Sequence, residues 1–127
     1  MHLDSLRRYC LVKPEATEDL PFGPDVLAFR VAGKIFALAN LERVPPAVNL
    51  KCDPERAVDL RERYADVRPG YHMDKRHWNT VGLRGDVPGA LVRDLVDHSY
   101  ALVVAGLPRA DRQRLAEGVS GDSSSDP

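Results

Sequence analysis

Leu27-Ala28-Phe29-Arg30-Val31-Ala32-Gly33-Lys34-Ile35-Phe36-Ala37-Leu38-Ala39-Asn40-Leu41 is the stretch that decides the fold. Leu27, Phe29 and Val31 alternate with Ala28 and Arg30, the period of a half-buried strand. Ala32-Gly33 turns the chain, and Ile35 to Leu41 runs back as a second strand, so the segment reads as a hairpin.

Toward the N-terminus, Pro21-Phe22-Gly23-Pro24 is turn chemistry, flanking a short strand through Thr17 to Leu20. Leu3, Leu6, Tyr9 and Cys10 stand at helical spacing and predict a helix over 3–12. Lys13-Pro14 stops it, because a residue before proline is pushed out of the helical region.

Toward the C-terminus, Val48, Leu50 and Cys52 form one face of a third strand after Pro45-Pro46, with Asn49 and Lys51 on the other. Asp53-Pro54-Glu55 opens a helix with an N-cap carboxylate, a first-turn proline and an acid near the positive end of the dipole. Ala57, Leu60 and Tyr64 give it a buried stripe. Pro69-Gly70 marks a turn, and Arg76 to Leu83 reads as a strand. In it His77, Asn79, Val81 and Leu83 share one side, and Trp78 and Thr80 the other. Gly85-Asp86-Val87-Pro88 starts the longest helix, with a stripe of Leu91, Leu95, Ser99, Leu102 and Val103. Gly106 ends it, and Pro108 begins a last helix to about Glu117.

These elements predict the α+β class: a two-layer sandwich, a mostly antiparallel sheet with helices packed on one face and the other face at least partly open. The domain is expected over residues 1–117, with a disordered polar tail over 118–127, where large apolar groups are scarce.

At 127 residues the chain can bury one core without disulfides or metal. Cys10 and Cys52 lack C-x-x-C spacing and are expected as free thiols in a reducing, cytoplasmic compartment. Charges at Asp4, Arg7 and Arg8 exclude a secretory signal, and no apolar run approaches the roughly 20 residues that span a bilayer. The net charge is −1, and without the tail 18 basic residues face 17 acidic ones, so any nucleic-acid site must be a local patch.

Neither a P-loop nor a G-x-G-x-x-G run occurs. His72 and His77 stand five apart, on opposite faces of a strand, which is a poor basis for zinc. Cys10, Cys52, His72, His77 and His98 qualify as catalytic groups by residue type only. No catalysis, cofactor or metal is therefore expected; a rival enzyme reading would need His72, His77 and Cys52 to converge in one cleft.

The densest polar chemistry is Arg68-Pro69-Gly70-Tyr71-His72-Met73-Asp74-Lys75-Arg76-His77-Trp78-Asn79-Thr80. Cations there can neutralise phosphates, an indole can stack on a base, and Asn and Thr can hydrogen-bond a backbone or base edge. The alternative is that Trp78 fills the core and the cations keep the loop soluble. Strand parity sharpens the first reading. If Leu27, Phe29, Val48, Leu50, Val81 and Leu83 face the helices, then Arg30, Asn49, Lys51, Trp78 and Thr80 share the opposite face. The expected nucleic-acid contacts are Arg30, Asn49, Lys51, Lys75, Arg76, Trp78, Asn79 and Thr80. A protein or small-molecule interaction module on the same face is the rival, and the chain is expected as a monomer or weak homodimer.

The runs Asn49-Leu50-Lys51-Cys52-Asp53-Pro54-Glu55-Arg56-Ala57, Pro69-Gly70-Tyr71-His72, Lys75-Arg76-His77-Trp78-Asn79-Thr80-Val81 and Asp97-His98-Ser99-Tyr100-Ala101-Leu102-Val103 resemble the MmcQ/YjbR family. The likeness covers the chain from the first helix to about Glu117. It implies a frataxin-like, CyaY-like fold and a DNA-binding protein. Iron binding is not implied: Asp4 is the only carboxylate between residues 3 and 12, beside Arg7 and Arg8.

Overall fold

The computed structural model describes residues 1–70 and 73–124. Its elements are α1 (Leu3–Leu11), β1 (Ala16–Asp19), β2 (Val26–Val31), β3 (Lys34–Asn40), β4 (Ala47–Lys51), α2 (Pro54–Arg63), β5 (Val67–Pro69), β6 (Trp78–Gly82), α3 (Gly89–Ala105) and α4 (Arg109–Ser124). The strands join in one sheet of order β1-β2-β3-β4-β6-β5, with every neighbouring pair antiparallel. The fold is α+β.

The β2–β3 hairpin closes through Ala32 and Gly33, with φ of 49° and 79°. Both lie in the left-handed region, the geometry whose twist matches that of the flanking strands. A bulge between Phe29 and Arg30 moves the register from Phe29↔Ala37 to Arg30↔Ile35. The extra residue on β3 lets Phe36 join Ala37 in the core. Ser99, buried in mid-α3, donates to the Phe36 carbonyl at 2.6 Å and accepts from the Lys51 N–H at 2.9 Å. It thereby satisfies backbone groups of two strands from inside the core.

The helices lie on the side of Phe29, Val48, Leu50 and Val81. α3 crosses β2, β3 and β4, α1 packs on β1 and α3, and α2 packs on β5. Buried Leu6 and Cys10 anchor α1, and burial pushes the Cys10 thiol up to about 12. Tyr9 Oη donates to Asp97 at 2.8 Å, while the Lys13 ammonium pairs with Asp97 and lies 4.7 Å from the Tyr9 ring centre. α2 starts as expected: the Asp53 carboxylate accepts from the Arg56 N–H at 3.2 Å. The Asp53 N–H in turn donates to His98 Nε2 of α3 at 3.1 Å.

Three features depart from the sequence reading. β5 stands where only a turn was expected; as an edge strand it tolerates Pro69, whose missing N–H faces no ladder partner. The buried stripe of α3 is Val92, Leu95, Val96, Ser99 and Val103, with Leu91 and Leu102 only half-buried. α4 continues to Ser124, past the expected end near Glu117. Once a helix is nucleated each added residue gains a hydrogen bond, so weak formers can extend it. Residues 125–127 of the expected tail lie outside the described residues.

Candidate functional site

Strand register assigns the two faces residue by residue. Leu38 pairs with Asn49, Asn49 with Thr80, Thr80 with Arg68, and Lys51 with Trp78. Directly paired residues share a face, so Asn49, Lys51, Trp78 and Thr80 stand together with Leu38 and Arg68, on the side away from the helices. Arg30, paired with Thr17, stands on the same side two strands away from β4. Trp78 is half-buried there, and its neighbourhood depends on Gly70. A Cβ at Gly70 would lie 2.8 Å from Trp78 Cβ and 2.9 Å from its carbonyl oxygen, while the Gly70 N–H donates to that oxygen at 2.8 Å.

Three of the expected contacts need correction. Asn79 faces the helices: it pairs with Leu50, is 1 % exposed, and donates from Nδ2 to the Ala57 carbonyl of α2 at 3.3 Å. Standing between Trp78 and Thr80 on one strand, it has to point the opposite way and cannot meet a ligand on their face. Arg76 leaves the patch as well, because the turn before β6 folds toward α2. There it borders a shallow hollow with Pro54, Glu55, Val58 and Arg61, and Arg61 donates to the Lys75 carbonyl at 3.2 Å. Arg30 keeps the right face but is committed, with Nε to Asp19 at 2.9 Å and a donor to the Gly33 carbonyl at 2.9 Å. Lys75 reaches the Gly70 carbonyl at 3.3 Å, on the flank of the Trp78 loop.

The residues of the rival catalytic reading separate in part. Cys52 is buried in the core, where burial pushes its thiol up to about 11, away from the thiolate a nucleophile needs. His77 Nδ1 hydrogen-bonds Asp74 at 2.8 Å, and that contact, followed by the Arg76 N–H, holds the Asp74 carboxyl below its usual range. His72 lies outside the described residues, as does Tyr71.

Sequence reasoning passed over one feature of the open face. A hollow of about 490 Å³ is lined by Leu38, Asn40, Glu42, Arg43, Asn49 and Thr80, among others. Leu38, Ala47 and Thr80 form a buried floor, and exposed or half-buried side chains rise around it. A second hollow of about 300 Å³ adjoins it, sharing Arg43, Ala47, Arg68 and Thr80 and adding Arg84. Three arginines thus meet at one end of the sheet. The topology brings them together: β4 and β6 are paired, so the loop before β4 and the loop after β6 fall side by side, with the Leu83 N–H donating to the Pro46 carbonyl at 2.9 Å. Arg43 and Arg84 have no ion-pair partner among the described residues, and Arg68 stands 3.9 Å from Asp66. No sequence motif joins positions 43, 68 and 84; only strand order could have found them.

Among the described residues no group of three or more His, Cys, Asp or Glu is placed to hold a metal ion, and no helix is long and apolar enough to cross a membrane.

The YjbR family model matches residues 11–102. The chain belongs to the YjbR family. Among its relatives, the uncharacterised protein YbdF of Escherichia coli O157:H7 is 38% identical over 115 residues, covering 91% of this chain and 94% of that protein. The uncharacterised protein YjbR of Escherichia coli strain K12 is 37% identical over 117 residues, covering 92% and 99%. Among solved structures, the Deinococcus radiodurans protein DR2400 is similar at a TM-score of 0.84 with 38% identity, covering 90% of this chain and 87% of that one. A Pseudomonas syringae protein is similar at 0.71 with 28% identity, covering 80% and 98%. These relatives therefore match along nearly the whole chain, open face included.

Proposed function

We propose that the chain binds DNA through the open face of its sheet, without catalysis. The observation that carries this reading is the grouping, on the open face, of Lys51 and Trp78 at one end of β4–β6 and Arg68 beside Thr80, with Arg43 and Arg84 in the loops at the other end of the same strands. Cations supply phosphate contacts and the indole supplies a stacking plane. Asn49 and Thr80 line the ground between them, and Lys75 flanks it. With three or four phosphate contacts, binding is weak and salt-dependent, about micromolar or looser at physiological salt.

The hollow of about 490 Å³ favours a second reading, a small-molecule interaction module on the same face, since pockets of about 300–1,000 Å³ suit such ligands. Helices on one side of an antiparallel sheet support a CyaY-like description of the fold. Two buried thiols outside any disulfide support a cytoplasmic protein.

Fluorescence anisotropy with short labelled DNA across a salt series tests the proposal. Wild type is expected to bind and to weaken steeply with salt, and Lys51→Ala/Arg68→Ala to lose about tenfold or more. Salt-independent binding, or equal affinity of the double variant, rules the DNA reading out.

A further inference from the structure

We infer that the DNA taken by the open face is an unpaired strand, one nucleotide of which seats in the hollow with its phosphate held by Arg43, Arg68 and Arg84. The inference rests on the DNA reading above and narrows it to a substrate class.

The shape of the face argues first. Reading a duplex requires something that projects into a major groove about 12 Å wide, usually a helix or a two-stranded ribbon. Here the face is a depression, and the helices that pack on the sheet lie on the opposite side. A flipped-out or unpaired base presents its flat faces, which a duplex hides by stacking. Leu38 and Ala47 on the floor, with Pro69 on the wall, offer that base apolar contact. Trp78 stands two residues along β6 from Thr80 on the same side, about 7 Å farther on, where the next base of the strand can stack.

The distribution of charge argues second. A duplex binder that relies on phosphates needs many cations, because its affinity grows with each phosphate neutralised. This chain is nearly neutral, and five of its fourteen arginines are held in close ion pairs: Arg7 with Glu18, Arg30 with Asp19, Arg56 with Asp94, Arg63 with Asp59, Arg114 with Glu15. Among the arginines outside those pairs, Arg43 and Arg84 line one hollow together with Arg68. A compact set of three guanidinium forks suits one phosphate more than a long backbone track. Of the carboxylates near them, Asp66 accepts from the Asp86 N–H at 3.1 Å, Asp4 lines a further hollow with Arg43 and Arg84, and Glu42 lines the neighbouring one. Asn40 has its oxygen engaged by the Glu42 N–H at 2.9 Å, which leaves amide donors to offer a base edge.

The test is anisotropy with a labelled thymidine tract as a single strand and as the duplex with its complement, in the same buffer. The single strand is expected to bind at least tenfold tighter than the duplex. Its log–log salt slope should be about −1.4 to −2.1, as the arginine-held phosphate and one or two more at Lys51 and Lys75 imply on a single strand. Arg43→Ala/Arg84→Ala should lower single-strand affinity about tenfold or more with an unchanged melting temperature, and thymidine monophosphate should compete. Arg8→Ala/Arg93→Ala, on the helices, should bind like wild type. Duplex binding as tight as single-strand binding, or an unaltered Arg43→Ala/Arg84→Ala variant, overturns the inference and leaves the DNA reading standing. Absence of binding to either form overturns both.

Discussion

The two faces of one sheet follow opposite rules. The face under the helices is Phe29, Val31, Val48, Leu50 and Val81, each 1 % exposed or less. The other face alternates the same strands with Arg30, Asn49, Lys51, Trp78 and Arg68. One backbone supplies both, because successive side chains point to opposite sides. Polar groups on the covered face are rare and tied: Ser99 bridges two strands and Asn79 reaches α2. Cations on the open face are in part untied, which costs little in water and keeps them ready for a ligand. The covered face should therefore hold the stability and the open face the binding, with little overlap.

The strongest way to break that division is at Phe29, which is fully buried and has its ring centre 6.4 Å from that of Phe36. Phe29→Ala is expected to cost about 3–5 kcal/mol in unfolding free energy, from lost transfer and the cavity left behind. Urea titration reads this directly. A loss under about 1 kcal/mol would mean the core does not centre on the hairpin. Ser99→Ala comes next, at about 2 kcal/mol, because the Phe36 carbonyl and the Lys51 N–H would be left buried without their partner.

Asn79 separates stability from binding most sharply. Its Nδ2 bonds Ala57, and its Oδ1 has no hydrogen-bond partner among the described residues. Asn79→Ala removes one bond and one orphaned oxygen together, so the expected cost is about 1 kcal/mol. DNA affinity should stay unchanged, whereas Trp78→Ala on the neighbouring residue should lower it. An equal loss of affinity in both variants would show that alternation along β6 does not divide the two roles.

How far the sequence reaches follows from what each feature depends on. The hairpin, the α2 cap and the parity of β4 and β6 are local, set by period and by turn chemistry, and they were legible. β5 was not: three residues ending in proline carry no period of their own, and pairing with β6 makes them a strand. The bulge at Phe29 was equally silent, because it is felt only when two strands lie side by side. Parity gave the open face its Lys51 and Trp78. The turn that carries Arg76 toward α2, and the meeting of Arg43, Arg68 and Arg84, depend on strand order and loop path. Density along the chain pointed to the Lys75-Arg76 run, whereas convergence in space favours three residues scattered over forty positions.

The smallest expected effect lies at His98, where the covered side joins α3 to α2. Its Nε2 accepts from the Asp53 N–H, so the ring must be neutral at that nitrogen. Burial first, then the nearby Arg56 charge, lowers its pKa from the ordinary 6.5, against the opposing pull of Asp53 and Asp94. With the folded value below the unfolded one, the unfolded chain takes up the proton first as pH falls. The contribution is thus fully present above pH 6.5 and is lost as pH drops through the lower folded value. Urea midpoints measured from pH 7.5 downward should fall in that window for wild type and fall less for His98→Gln. Acid should therefore loosen the helix junction on the covered side. An identical pH slope in wild type and His98→Gln would place the acid-sensitive link elsewhere.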